Sequence, residues 1–589
     1  MQTAFPFKTG FYKEKANFTY MILVFRSGLM KIDLLISGSQ VFNVYKKSFE
    51  KVNVAILGSK FFYVGNDITG LEPKEMIDGI GKYLIPGLVD IHLHIESTML
   101  TPKEFSKGII KYGTTTAVTD PHEVANVFGL EGVKTMIELP DGPADIFYGV
   151  PSSVPSTPFE TTGGVFDVAE VRSLAKNPKV LCLGEVMNFH DLASESETKT
   201  KNLIRVMHEN NPRPIIEGHC PRLSGQDLQK FLYAGVDGDH TQQTIESLRE
   251  KIGLGMFIEL QEKSLTTELL QVIVDEKMTE HCCLVTDDTM VDALYFDGHL
   301  SRIYRKAVAL GLPTEEALYL CTYTPARRMG LTDRGSIAPG RLADFVIVTD
   351  LASLEVDSVY KNGQLVQGEV EEIKYERVFP SHFYKSVNLG ELFEKDFEIV
   401  IDQEKVECRV MQMNSQSTFT DMETITLPVQ KGKVSWEESG VAMVAVFDRY
   451  TGKNKAFGFA RGACLKQGAV ATTYAHDHHN LLVLGHSIAD MLLAANRVIE
   501  IQGGMVAVAN GEKIAEITLP VAGILSDLPL KEVASQMKEF KKALEDLGWE
   551  HHNPIMSLGT LSLPVSPALK ISDQGLIDVR EGKIISLFI

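Results

Sequence analysis

The chain lacks the marks of several protein classes. Its seven cysteines (Cys182, Cys220, Cys282, Cys283, Cys321, Cys408 and Cys464) are odd in number, scattered and without Cys-x-x-Cys spacing. That argues against a disulfide framework and for reduced thiols in a cytoplasm. Basic residues are outnumbered, 58 against 77 acidic, for a net charge of −19, so a general nucleic-acid-binding surface is not expected and a small molecule is the default partner. The first 15 residues carry no long apolar core, and the apolar run 20–25 is too short to span a bilayer or to act as a signal peptide. No membrane partner is expected, and residues 1–30 read as an irregular arm.

What is present is the balance of a soluble globular enzyme, with 44% hydrophobic and 23% charged residues and a mean hydropathy near zero. Residues 31–85 read as short strands, at 32–36, 52–57 and 61–64, separated by glycine and polar turns. Matching strands return within 341–374, at 343–348 and 356–363, so both flanks are expected to build one small β-sandwich around an inserted region. That region, 86–340, alternates short apolar strands with helical patterns, as a parallel βα barrel does, and the chemistry of such barrels lies at the carboxyl ends of the strands. Residues 375–589 read as a separate α/β domain, with core strands at 441–446 and 503–508 and an amphipathic helix over 531–547 whose charges face solvent.

The barrel region begins with an apolar run that ends in His92-Leu93-His94. Alternate side chains of a strand share a face, so the two imidazoles can grip one cation. Later strand ends repeat the theme. The run 114–119 leads into Asp120-Pro121-His122-Glu123, and 180–184 ends at Glu185. Next, 214–218 ends at His219, 235–239 at His240, and 282–286 at Asp287-Asp288. Four imidazoles (His92, His94, His219, His240) and two carboxylates (Glu185, Asp287) can hold two divalent cations, with the glutamate bridging and a position left for water. Ala475-His476-Asp477-His478-His479-Asn480 is the one chemically dense stretch of the C-terminal region. It reads either as a polar turn opening a helix from Asn480 or as a segment that packs over the barrel mouth.

Several longer stretches carry a resemblance. They are Val89-Asp-Ile-His-Leu-His-Ile-Glu-Ser-Thr98, Asp120-Pro-His-Glu-Val-Ala-Asn-Val127, Gly218-His-Cys-Pro-Arg-Leu-Ser-Gly225, Gly298-His-Leu-Ser-Arg302, Gly335-Ser-Ile-Ala-Pro-Gly-Arg-Leu-Ala-Asp344, the 475–480 segment and Leu519-Pro-Val-Ala-Gly-Ile-Leu-Ser-Asp527. From about residue 31 onward the chain is similar to the bacterial adenine deaminase family of the metal-dependent amidohydrolase superfamily. The resemblance implies a (β/α)8 TIM-like barrel of the amidohydrolase type, with the small β-sandwich and a C-terminal α/β domain. It implies His92, His94, Glu185, His219, His240 and Asp287 as metal ligands, with Glu185 in place of the carbamylated lysine of related enzymes, and two divalent ions per chain. Manganese or ferrous iron is the family's metal, and zinc also suits the donors. It further implies hydrolysis of adenine to hypoxanthine and ammonia in purine salvage, hydroxide from the metal centre attacking C6. Asp287 is the proton shuttle and Glu185 and His240 act beside it. Glu96, His122, Glu123, Asp288, His476, Asp477 and His479 are expected to face the substrate or to support the ligands.

The other zinc deaminase plan is excluded, since no His-x-Glu with Pro-Cys-x-x-Cys occurs. The chain departs from the usual family pattern at Thr241, where glutamate is usual, at His190, where proline is usual, and at Arg222. Alternatives left open are an amidohydrolase for another purine or a cyclic amide or amidine and, more remotely, a silent scaffold barrel. Oligomeric state is not legible, and a homo-oligomer is compatible with the reading.

Overall fold

The computed structural model describes residues 29–366 and 377–589, so the irregular arm expected over residues 1–30 lies outside them up to residue 28. The chain divides into two compact units. The first joins the segment ending at Gly87 to Leu331–Val366, and the second joins Leu88–Gly330 to the segment ending at Ile589.

In the first unit, eight strands drawn from both flanks form one hydrogen-bonded sheet. Phe345–Asp350 runs antiparallel to Tyr83–Pro86, with Phe345 opposite Pro86 and Val348 opposite Tyr83. Strand alternation buries Leu34, Ile36, Val54, Ile56, Leu84, Phe345 and Ile347 in one core.

The second unit opens with eight short parallel strands: β1 (Leu88–Leu93), β2 (Thr114–Thr119), β3 (Asp145–Val150), β4 (Val180–Val186), β5 (Ile215–Gly218), β6 (Gly238–Asp239), β7 (Phe257–Leu260) and β8 (Cys282–Leu284). Five pair in sequence as one sheet and three as another. Asp237 N–H donates to the Ile216 carbonyl at 3.1 Å between the two, and a parallel bridge between Leu93 and Asp287 joins the last strand to the first. The ring is therefore closed as a TIM-like barrel. The runs forming β3 and β7 went unread in the sequence.

The rest of this unit holds a nine-stranded sheet. Its strands Ala442–Phe447 and Leu481–Gly485 are buried throughout, and helix Ile488–Glu500 packs on it, started by Ser487, whose side chain accepts the Asp490 N–H. One expectation fails here: the run after His479 does not open a helix. Leu481–Gly485 is a strand, with Val483 opposite both Ala445 and Ala471. A short apolar run buried on both faces has no periodicity by which helix and strand can be told apart. No helix among the described residues is long and apolar enough to cross a membrane.

Candidate active site

β1 ends in Asp90-Ile91-His92-Leu93-His94, and its period of two puts the acid and both histidines on the inner face. His94 Nδ1 lies 3.0 Å from the Asp120 carbonyl oxygen. Its other ring nitrogen, Nε2, faces the mouth, 3.3 Å from Glu185 Oε1 and 3.6 Å from Asp287 Oδ1. Glu185 Oε2 is 3.0 Å from His219 Nδ1 and 3.3 Å from His240 Nε2. Two donor groups, His92 with His94 and Glu185, and His219 with His240 and Glu185, each span no more than 4.8 Å and share the one carboxylate. A third brings Asp287 and Asp288 to His94.

Burial, with His240 beside it, holds the His92 pKa well below the usual imidazole range. Burial opposes charge on Glu185 and Asp287 as well, but the surrounding histidines outweigh it. His240 and His219 do so at Glu185, and His94 and His240 at Asp287, so both carboxyl pKa values fall below the ordinary range. The carboxylates are in the ionised form that ligates. His92 Nε2 is buried with no hydrogen-bond partner among the described residues, a lone pair committed to nothing in the protein. Imidazole and ionised carboxylate without thiolate fit divalent cations, and the shared Glu185 fits a pair of them. Asp287 has a left-handed backbone, φ 57°, pinned by its N–H to the His92 carbonyl at 3.0 Å. Strain of this kind persists where the surroundings over-determine it.

Helix His122–Glu138 starts just past β2 and sets His122 and Glu123 at the mouth. The His122 ring centroid is 4.7 Å from that of His94, and its Nδ1 is 3.8 Å from Asp120 Oδ1 and from Glu185 Oε1. Glu123, 1% exposed, reaches toward the C-terminal region. Its Oε1 lies 2.6 Å from His476 Nδ1, and its Oε2 meets His479 Nε2. His479 Nδ1 accepts the Ala475 N–H at 3.2 Å, so Nε2 carries the proton and donates to Glu123. Burial disfavours a charged Glu123, yet His476 and His479 outweigh it and hold its pKa well below the carboxylate range. Asp477 Oδ1 is 3.6 Å from His476 Nδ1. Glu96 accepts the Val124 N–H at 3.3 Å through one oxygen, and burial pushes its pKa up to about 7. Asp288 accepts the Ser97 hydroxyl at 2.5 Å.

The three departures turn away from this cluster. Thr241, 3% exposed, donates its hydroxyl to Asp239 at 3.0 and 2.9 Å. The same carboxylate accepts the Cys220 N–H at 3.0 Å, the Gln243 amide at 2.6 Å and the Lys251 ammonium at 2.7 Å. Burial works against its charge, but Lys251 outweighs it and brings the pKa down to about 2. Residue 241 therefore supports the strand end that carries His240. His190 is exposed on the short helix Phe189–Ala193, and Arg222 is exposed with its guanidinium over the Phe419 ring, 5.5 Å from the centroid.

Sequence reasoning passed over the inward acids one step below the candidate ligands: Asp90 below His92, Glu217 below His219, and Glu259 on β7. All are buried. The available signal was a carboxylate inside an otherwise apolar barrel strand, two residues before a ligand in the first two cases.

Eight parallel strands that present a histidine and carboxylate donor set at their carboxyl ends define a metal-dependent amidohydrolase. Residues 83–366 match the amidohydrolase family, and residues 417–583 match the adenine deaminase C-terminal domain. The chain is 47% identical over 572 residues to an adenine deaminase of Clostridium perfringens, covering 95% of this chain and 100% of that one. It is 46% identical over 570 residues to adenine deaminase 2 of Shouchella clausii, covering 95% and 99%. With the adenine deaminase of Kosmotoga olearia it shares 36% over 571 residues, covering 95% and 97%. The chain belongs to the adenine deaminase family.

Proposed function

We propose that this protein hydrolyses adenine to hypoxanthine and ammonia. The observation that carries the reading past amidohydrolase chemistry in general is Glu123 of the barrel mouth, held between His476 and His479. Those histidines belong to the C-terminal region that matches the adenine deaminase domain, so that region supplies part of the site.

His92, His94, His219, His240, Glu185 and Asp287 would hold two divalent cations, manganese first, with ferrous iron and zinc suited to the same donors. Bound there, the cations supply hydroxide at neutral pH and stabilise developing negative charge. Asp287, ionised with Oδ1 3.6 Å from His94 Nε2, takes one proton of the attacking water and passes it to N1 as oxygen adds to C6. C6 is then tetrahedral and bears both oxygen and amine. Asp287 then takes the proton of the C6 hydroxyl and passes it to the amine, which leaves as ammonia while the C6 carbonyl forms. Glu185 and His240 fix the position from which attack occurs, and Glu123, His122, His476 and Asp477 enclose the purine. The proposed architecture has three domains: a small β-sandwich drawn from the described residues of both flanks, the barrel, and a C-terminal α/β domain.

The test is ammonia release from adenine by protein loaded with manganese, beside a metal-stripped control. Metal-dependent release with hypoxanthine as product is expected. No release from a sample holding two ions per chain would discard adenine and turn attention to other purines and cyclic amidines.

A further inference from the structure

β7 carries Glu259 between Ile258 and Leu260, facing the barrel interior beneath the ligands. Its side chain is 0% exposed, and neither carboxylate oxygen has a hydrogen-bond partner among the described residues. An acid buried without a partner is costly and calls for a reason. The cation that is close at hand is already engaged: Arg328 donates through Nε to Glu217 at 3.0 Å and through Nη2 to Asp237 at 2.7 Å. What faces Glu259 is the underside of the candidate ligand cluster. Its Oε2 lies 3.5 Å from His92 Nδ1. One donor atom each of His92, His240 and Glu259 fall within 4.8 Å of one another. The His92 and His240 rings are stacked, centroids 3.7 Å apart at 18°, so whatever fixes one ring fixes the other.

An imidazole that ligates through one nitrogen is aimed by the acceptor its other N–H finds. His94 has such an acceptor in the Asp120 carbonyl. For His92, Nε2 is the uncommitted nitrogen and Nδ1 is the one turned to Glu259. The separation is just past hydrogen-bonding range, and a small rotation of the ring closes it. We propose that Glu259 is a positioning residue of the metal centre: its carboxylate receives the Nδ1–H of His92 and thereby holds that ring, and His240 stacked on it, with Nε2 of His92 presented to a divalent cation. This rests on the metal-centre reading above.

The test uses cobalt-loaded wild type, Glu259→Met, Glu259→Gln, Glu259→Asp, His92→Ala and the His92→Ala/Glu259→Met double variant. Metal content, the visible cobalt spectrum, the rate of extraction by a chelator and the melting temperature are followed. Wild type should hold two ions. Glu259→Met, equal in length but without an acceptor, should release one ion about 10 to 100 times faster, shift the cobalt spectrum and melt no lower than wild type. Glu259→Gln, which keeps an acceptor oxygen, should stay near wild type. Glu259→Asp, whose carboxyl group is drawn back by one methylene, should release faster by a smaller factor, and it stands in if the methionine variant does not fold. In the His92→Ala background, Glu259→Met should add nothing.

Wild-type release rates and spectrum in the methionine and aspartate variants would overturn the inference, as would a full additive effect in the double variant. A third metal equivalent lost with Glu259→Met would also overturn it, by making Glu259 a ligand. A wild type that binds no divalent ion would sink the metal-centre reading itself, which is a different failure.

Discussion

Asp239 and Glu259 stand on neighbouring strands of one barrel, β6 and β7, both buried and both beside His240, yet their surroundings are opposite. Asp239 accepts from Lys251, Gln243, Thr241 and the Cys220 N–H, whereas the oxygens of Glu259 accept from none of the described residues. An acid whose lone pairs are all taken by the protein is part of the frame. Several buried atoms at the barrel mouth are left over: His92 Nε2, Asp120 Oδ1, Glu96 Oε2, His122 Nδ1 and His476 Nε2 all lack hydrogen-bond partners among the described residues, and all lie in or beside the cluster there.

The contrast can be tested at both ends. Asp287→Asn belongs to the open set, and it should lower kcat for adenine by about 10² to 10⁴-fold, the usual scale for a lost general base. Metal content and melting temperature, measured in parallel, should change little. Near-normal turnover would move the proton shuttle to another carboxylate. In the frame, Asp239→Leu leaves the Lys251 ammonium buried without its partner, and should cost about 3–5 kcal/mol of stability by urea unfolding. If instead stability held and only metal was lost, Asp239 would belong with Glu259.

His479→Phe removes one of the two imidazoles that hold Glu123. A hydrogen bond to a charged group is worth about 1.5–3 kcal/mol, so kcat/KM should fall by roughly tenfold or more with both ions retained. An unchanged kcat/KM would place the C-terminal histidines in the frame.

Lys570 is a cationic counterpart of the poorly satisfied acids, 0% exposed and bonded to the Thr418 carbonyl at 2.9 Å. Burial takes its pKa down to about 7 from 10.5. Between those values the unfolded chain binds the extra proton, so this residue makes stability rise as pH climbs above 7, by up to about 1.4 kcal/mol per pH unit. Lys570→Met should raise the melting temperature at pH 7 and flatten its dependence up to pH 9. The smallest effect is expected at Thr241→Val, about 1 kcal/mol from one lost hydrogen bond. Substrate preference, compared across a panel of purines, should not move.

The candidate ligands were legible because strand geometry converts His92-Leu-His94 into a shared face, and because barrel topology says where to look for the others. Glu259 was not, because its strand, Phe257-Ile-Glu-Leu260, is four residues long and ends without a ligand. The frame around Asp239 draws on Lys251, which only the curl of the barrel brings near. Glu123 and His479 are 356 residues apart, and no local pattern reports a contact at that separation. The error at 481–485 has the same root, since burial on both faces erases the period that tells strand from helix.

That long-range contact has a consequence for synthesis. The eight barrel strands, and with them every candidate metal ligand, have been made once synthesis passes residue 287, but the two imidazoles that meet Glu123 are complete only when residue 479 follows. At translation rates of about 5–20 residues per second, the nascent barrel spends some ten seconds or more with its donors in place and its mouth unfinished. On the proposed reading, hydrolytic competence would arrive only with the late-made region, after the candidate metal donors are already in place.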